Sequence, residues 1–159
     1  MRGRERGVAL RQDWSQDPCP IARTLDVVGD PWVMLILREA LLGARRFEQF
    51  RAILPIAENV LSRRLGQMVD ADLLRRSPYR GKQRMHEEYV ATEAGKDLLP
   101  VLVALTNWGN AYTTAPARHV EMLVRHEGTD HHSADAERCT ECGEPMGNAE
   151  RGYERRWVG

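Results

Sequence analysis

Residues 46–71 read RFEQFRAILPIAENVLSRRLGQMVDA. Phe47, Phe50 and Leu54 recur at i, i+3 and i+7, one face of a short helix, and Pro55 stops it. A second periodic run begins at Ala57 or Glu58 and lasts to Ala71. Val60 or Leu61, Leu65 and Met68, with Val69, form its inner face, while Asn59, Ser62, Arg63 and Gly66 fall on the outer face. Two helices joined by a tight turn, the second polar and arginine-bearing on its outer side, can place that second helix in a DNA major groove about 12 Å wide.

Upstream, Asp17-Pro18-Cys19-Pro20 opens a helix, with Asp17 as cap and proline in the first turn. Ile21, Leu25 and Val28 share one of its faces, and Gly29 ends it. Asp30-Pro31 starts the next helix by the same logic. Trp32, Val33, Leu35, Ile36, Leu37, Ala40 and Leu42 make it apolar on more than one side, so it is expected to be the central buried helix, closed at Gly43. Downstream, 73–79 and 87–91 read as strands joined by Arg80-Gly81-Lys82-Gln83-Arg84-Met85-His86, a hairpin with a basic tip. Thr92 then caps one long helix carrying Leu98, Leu99, Leu102, Leu105, Trp108 and Tyr112, with Gly95 as a weak point. Its apolar face is wider than a small domain needs, which implies a partner helix. The fold class is therefore mainly α with a small β-hairpin wing (α+β): a winged helix-turn-helix, dimeric through its terminal helices. Residues 1–16 read as a mobile arm, 17–116 as the DNA-binding and dimerisation domain, and 117–159 as a C-terminal tail.

The formal net charge of zero hides an asymmetry. Between Gly43 and His86 stand ten Arg or Lys and four acids, whereas acids outnumber bases both from Glu87 to Pro116 and beyond it. A basic centre between acidic segments is the footprint of a polyanion-binding surface, although an ordinary solvated face would also be Arg-rich. With 42% apolar residues but only 6% aromatics, the core is modest, and small cores often gain stability by association. No run approaches about 18 apolar residues, and the basic N-terminus lacks the apolar segment of a secretory signal, so a cytoplasmic location is expected. Three cysteines, two of them in Cys-x-x-Cys, argue for metal or redox chemistry rather than a disulfide scaffold.

From Cys19 to about Ala117 the chain resembles the HxlR-type winged helix-turn-helix regulators. The resemblance rests on Cys19-Pro20-Ile21-Ala22-Arg23-Thr24-Leu25, Gly29-Asp30-Pro31-Trp32, Leu35-Ile36-Leu37-Arg38-Glu39, Gly43-Ala44-Arg45-Arg46-Phe47-Glu48-Gln49-Phe50, Val60-Leu61-Ser62-Arg63-Arg64-Leu65 and Tyr89-Val90-Ala91-Thr92-Glu93-Ala94-Gly95. Each motif is weak alone; six in order at the right spacing are specific. The resemblance implies a homodimer on a two-fold DNA site, with no effector or target named. The chain departs from the family at Ala57-Glu58-Asn59, where Glu58 either repels phosphate or reads a cytosine amino group. The wing is family-like in length only, and the segment after Pro116 is longer than the minimal family domain.

For DNA, Asn59, Ser62 and Arg63 are expected in the groove, and Arg46, Arg80, Lys82 and Arg84 on phosphates. Against this stand a capping role for Asn59, an ion pair for Arg63 or Arg64, and a plain strand-surface charge for Arg84. Cys19 lies at a helix N-terminus, where thiolate is favoured, and some proteins of the resembling family use a cysteine there to sense oxidants or electrophiles. With no Lys or His adjacent, a small apolar residue at the dimer edge is the stronger reading. Cys139-Thr140-Glu141-Cys142-Gly143 has the spacing of a metal knuckle. A tetrahedral Zn2+ would take two further ligands from His126, His131 and His132, of which His131 and His132 are chosen. A redox dithiol and plain tail cysteines are the alternatives. Trp32, Trp108 and Tyr112 line either an effector pocket or the core and dimer interface. No nucleophile and base stand at a recognisable spacing, so no enzyme is expected. The leading function is a homodimeric DNA-binding regulator, a repressor answering an unidentified small-molecule or redox effector. The competing readings are a winged-helix protein-interaction module without DNA binding and a small zinc or thiol redox protein.

Overall fold

The structure, a computed structural model, describes residues 13–81, 84–126, 128–146 and 152–159. Helix α1 (Pro20–Val28) starts on a proline. Its N-cap is Cys19 rather than Asp17; the Asp17 carboxylate holds the preceding turn by accepting the Cys19 N–H at 2.8 Å. In α2 (Pro31–Leu41) the Asp30 side chain accepts the Trp32 N–H at 2.9 Å, and proline again occupies the first turn. Ile36 and Leu37 of α2 are fully buried, as expected of the central helix. Around them pack Val28 of α1, Phe50 of α3 (Phe47–Ile53), Leu61, Leu65 and Met68 of α4 (Glu58–Asp70), and Leu74. Between α3 and α4, Leu54 turns to an extended conformation ahead of Pro55, as the residue before proline should.

Asp72, at φ 56°, reverses the chain out of α4 into β1 (Leu74–Arg80). This strand pairs antiparallel with β2 (Met85–Ala91) from Leu74↔Ala91 to Arg80↔Met85. The pairing reaches further toward the wing's end than the sequence suggested, as far as Arg80↔Met85. Pro78 is tolerated because a two-stranded ribbon leaves each strand an open edge.

The single long helix expected after Thr92 is two: α5 (Glu93–Lys96) and α6 (Leu99–Tyr112). Proline at position 100 breaks it, because its nitrogen has no proton for the Lys96 carbonyl and its ring crowds that oxygen. Gly95 permits a different contact: a Cβ there would lie 2.2 Å from the Leu73 carbonyl oxygen. The Leu73 oxygen also accepts the Thr92 N–H at 3.1 Å, so β1 and the start of α5 are tied together.

Residues expected as a tail form a three-stranded antiparallel sheet in the order β4 (His132–Ser133), β3 (His119–Arg125), β5 (Gly152–Val158). Val124, Ala136, Cys139, Met146 and Tyr153 make a second core against Leu99 and Val103 of α6, flanked by Leu41 and Leu42. Strand β5 also reaches α2. Arg155 pairs with the buried Glu39, whose Oε1 Arg38 also holds at 2.7 Å. Burial pushes the Tyr153 phenol up, while a hydrogen bond with Thr106 and the charges of Arg38 and Arg155 pull it back. No helix among the described residues is long and apolar enough to cross a membrane.

Candidate nucleic-acid interface

Helix α4 buries Leu61, Leu65 and Met68, which turns Asn59, Ser62 and Arg63 outward, and all three are exposed. Asn59 Oδ1 accepts the Val60 N–H at 2.9 Å, so in the free protein its carboxamide lies against the helix start. Ser62 and Arg63 make no side-chain hydrogen bond or ion pair among the described residues. The neighbouring Arg64 behaves oppositely. It turns inward to Asp30 and donates to Gln67 at 2.7 Å, joining α4 to the cap of α2.

The ten cations between Gly43 and His86 sort by their surroundings. Arg45 lies 3.4 Å from Glu88, Arg51 2.6 Å from Glu58, and Arg76 3.6 Å from Glu87, while Arg64 is held by Asp30. Glu58, whose charge looked hostile to phosphate, thus faces Arg51 across the helix-turn-helix. Arg63, Arg75, Arg80 and Arg84 are exposed and face no acid among the described residues. Arg46 lies over the Tyr79 ring at 4.4 Å, a contact that orders the guanidinium without cancelling its charge. Tyr79 in turn stacks on His86 at 5.4 Å, so the base of α3 and the wing form one packed surface. The backbone does the same where the Tyr89 N–H donates to the Arg45 carbonyl at 2.7 Å. Lys82, expected at the wing tip, lies outside the described residues. Arg75 was not singled out from the sequence; the basic doublet Arg75-Arg76 at the foot of the wing was the available signal.

In the C-terminal sheet region, His126, His131, Cys139 and Cys142 place one donor atom each within 4.8 Å of one another. His126 follows β3 and His131 precedes β4, and the His126 N–H donates to the His131 carbonyl at 3.0 Å to close that hairpin. His132, preferred from the sequence as a ligand, is not in the cluster. Successive residues of an extended strand face opposite ways, and its Nε2 lies 2.9 Å from Glu154 on β5. Burial pushes the Cys139 thiol up. The backbone N–H groups of Cys142 and Glu141, then the side chains of Cys142 and His126, outweigh it, and the thiol is lowered to about 6. The third cysteine, Cys19, is exposed at the start of α1.

A third surface is apolar. Val101, Leu105, Trp108 and Tyr112 recur at i, i+4, i+7 and i+11 along α6, a single stripe, and Trp108 and Tyr112 are 60% and 75% exposed. Their rings lie 5.5 Å apart. On α1, Ile21 and Val27 are also exposed. Trp32, by contrast, packs half-buried against the main core.

The sequence model of the HxlR-like helix-turn-helix family matches residues 27–117. The HTH-type transcriptional regulator Rv3095 of Mycobacterium tuberculosis is 40% identical over 126 residues, covering 79% of this chain and 78% of the relative. Among solved structures, PA1607, described as a candidate transcription factor, superposes with a TM-score of 0.68 at 35% identity, over 86% of this chain and 94% of that one. The reduced form of the redox regulator HypR gives a TM-score of 0.54 at 30% identity, over 58% of this chain and 92% of that one. With a helix-turn-helix, a wing packed beside it and a family match across more than half its length, the chain belongs to the HxlR-like helix-turn-helix family of transcriptional regulators.

Proposed function

We propose that the protein is a homodimeric repressor that reads a two-fold DNA site, each α4 entering a major groove and each wing lying on the adjoining phosphates. The observation that carries this is the sorting of charge. Arg51 and Arg64, which hold the helix-turn-helix together, are neutralised within the protein. Arg63 on the outer face of α4, and Arg80 and Arg84 at the wing, are left for a polyanion. Arg63 with Ser62 and Asn59 supplies base contacts, the Asn59 carboxamide leaving the Val60 N–H to pair with a base edge. Arg46, Arg80 and Arg84 supply affinity without sequence information.

The exposed stripe on α6, joined by the exposed apolar residues of α1, supplies the two-fold contact. A compact dimer over a promoter excludes polymerase, which makes repression the expected effect. The experiment is a titration of the wild type and Arg63→Ala against a genomic site recovered with the protein. Arg63→Ala is expected to lose about 10-fold or more in affinity for that site, narrowing the gap to random duplex. Its melting temperature should be unchanged, since Arg63 has no side-chain partner among the described residues. Equal affinity of variant and wild type for the specific site would remove α4 from the reading.

A further inference from the structure

We infer that His126, His131, Cys139 and Cys142 form a closed tetrahedral zinc site that staples the C-terminal sheet against α6. This goes beyond the DNA-binding reading and does not depend on it.

Distances support the assignment. Zn–S bonds of about 2.3 Å and Zn–N bonds of about 2.0–2.1 Å give a tetrahedron whose S–N edge is about 3.6 Å. Here Cys142 Sγ lies 3.5 Å from His126 Nδ1, and Cys139 Sγ lies 3.7 Å from His131 Nδ1. Both imidazoles present the same nitrogen to a thiol, and all four donors fall within 4.8 Å of one another. A pair of S–H···N bonds would give similar spacings, but it would not bring the two pairs together around one point.

The backbone around the donors has the form of a knuckle. The Gly143 N–H donates to the Cys139 carbonyl at 2.9 Å, and Gly143 sits at φ 77°, where a side chain would be strained. The Cys139 N–H donates to the Glu144 carbonyl at 2.9 Å, and the Met146 N–H to the Glu137 carbonyl at 2.8 Å. Backbone N–H groups of Glu141 and Cys142 are directed at the Cys139 sulfur, the outer-shell support that thiolate ligands require. Opposite, Thr129 Oγ1 donates to the His126 carbonyl at 3.0 Å and accepts the His131 N–H at 3.1 Å, setting the spacing of the two histidines.

Donor chemistry selects the ion. Two thiolates and two neutral imidazoles in a tetrahedron suit zinc, and two negative charges match its two positive ones. All four positions are protein ligands, which leaves no place for a reactive water and makes the role structural. Cys139 is buried in the second core beside Val124 and Tyr153, whose strands pack on Leu99 and Val103 of α6. A metal there joins the β3–β4 hairpin to the 139–146 turn, adding to the hydrogen bonds from the His132 N–H to Glu141 and from the Thr140 N–H to Ser133 Oγ. It therefore fixes the sheet that lies behind the apolar stripe of α6.

The test uses full-length protein purified under reducing conditions and without added chelator, with metal measured by mass spectrometry and thiols counted in parallel. One zinc per chain is expected, displaced only as the two thiols are modified. Replacing it with Co2+ should give the intense visible absorption and thiolate charge transfer of a tetrahedral sulfur-ligated site. Cys142→Ser and His126→Ala should lose the metal, and His132→Ala should keep it. Cys142 is exposed and His126 half-buried, so neither variant should unfold the winged helix; protection of α2 and α4 in amide exchange checks this, while residues 119–146 should exchange faster. The inference is overturned if the reduced wild type neither carries nor takes up zinc, if Cys139 and Cys142 are isolated as a disulfide, or if Cys142→Ser and His126→Ala retain the metal. Loss of zinc in His132→Ala equal to that in His126→Ala would overturn the ligand set.

Discussion

Leu105→Asp is expected to convert the proposed dimer to a monomer and to cost at least about 100-fold in affinity for the proposed two-fold site. Leu105 is 54% exposed on the protomer, in the middle of the stripe formed by Val101, Trp108 and Tyr112. A carboxylate there is solvated while the chain is alone and must be stripped of water once a second helix covers it, at a cost of several kcal/mol. The protomer itself loses little, because the buried face of α6 is made by Leu99, Leu102 and Val103. The DNA penalty follows from linkage. Two joined half-site readers bind the second half-site at a high effective concentration, and separating them forfeits a factor of roughly 10²–10⁴. Sedimentation would give the mass and a duplex titration the affinity, with circular dichroism confirming an unchanged fold. A Leu105→Asp protein that sediments as a dimer would remove this face from the interface.

Gly95→Ala should lower the melting temperature by about 4–8 °C, a loss of about 2 kcal/mol. The new methyl would sit 2.2 Å from the Leu73 carbonyl oxygen and 3.5 Å from Leu37 Cδ1. The carbonyl cannot yield cheaply, because Leu73 also donates its N–H to the Met68 carbonyl at 2.9 Å and accepts from Thr92. Alanine's helix propensity offsets about 1 kcal/mol at most. Gly66→Ala is the control: it is mid-helix in α4 with nothing within 4 Å of the new carbon, and alanine there should raise stability by about 0.5–1 kcal/mol. Thermal unfolding of both variants would decide the matter. An unchanged or higher melting temperature for Gly95→Ala would mean that α5 does not press on the Leu73 carbonyl as described.

Periodicity is what made the winged helix legible. Helices α2 and α4 announce themselves through apolar spacing that survives any choice of boundary; Asp30-Pro31 marks the start of α2, and Pro55 the stop of α3. Local rules failed where a single residue overrode a pattern. The run of leucines from Leu98 to Leu105 reads as uninterrupted helix, but one missing N–H at Pro100 divides it. They failed again where a strand is charged. Strand β5 shows little apolar alternation because Glu154, Arg155 and Arg156 are each matched by a charge elsewhere: Arg125, Glu39 and Glu121. No sequence window contains both Glu39 and Arg155.

The same division holds for the functional residues. That Arg63 is exposed while Arg64 turns inward follows from a 100° step around a helix, but that Asp30 would meet Arg64 required the packing of α2 on α4. Cys-x-x-Cys was visible as a half-site. Choosing His126 over His132 required knowing that 126 and 131 face each other across a hairpin, so that the next residue along must face away.

The most direct test of the account is the affinity of the full-length protein for duplex DNA as a function of salt. On the proposed dimer, Arg46, Arg80 and Arg84 from each of two protomers would supply six cations for phosphate, so affinity should fall about 10³-fold between 50 and 200 mM monovalent salt. Failure to bind any duplex at low ionic strength, or binding indifferent to salt, would contradict the assignment of α4 and the wing to DNA.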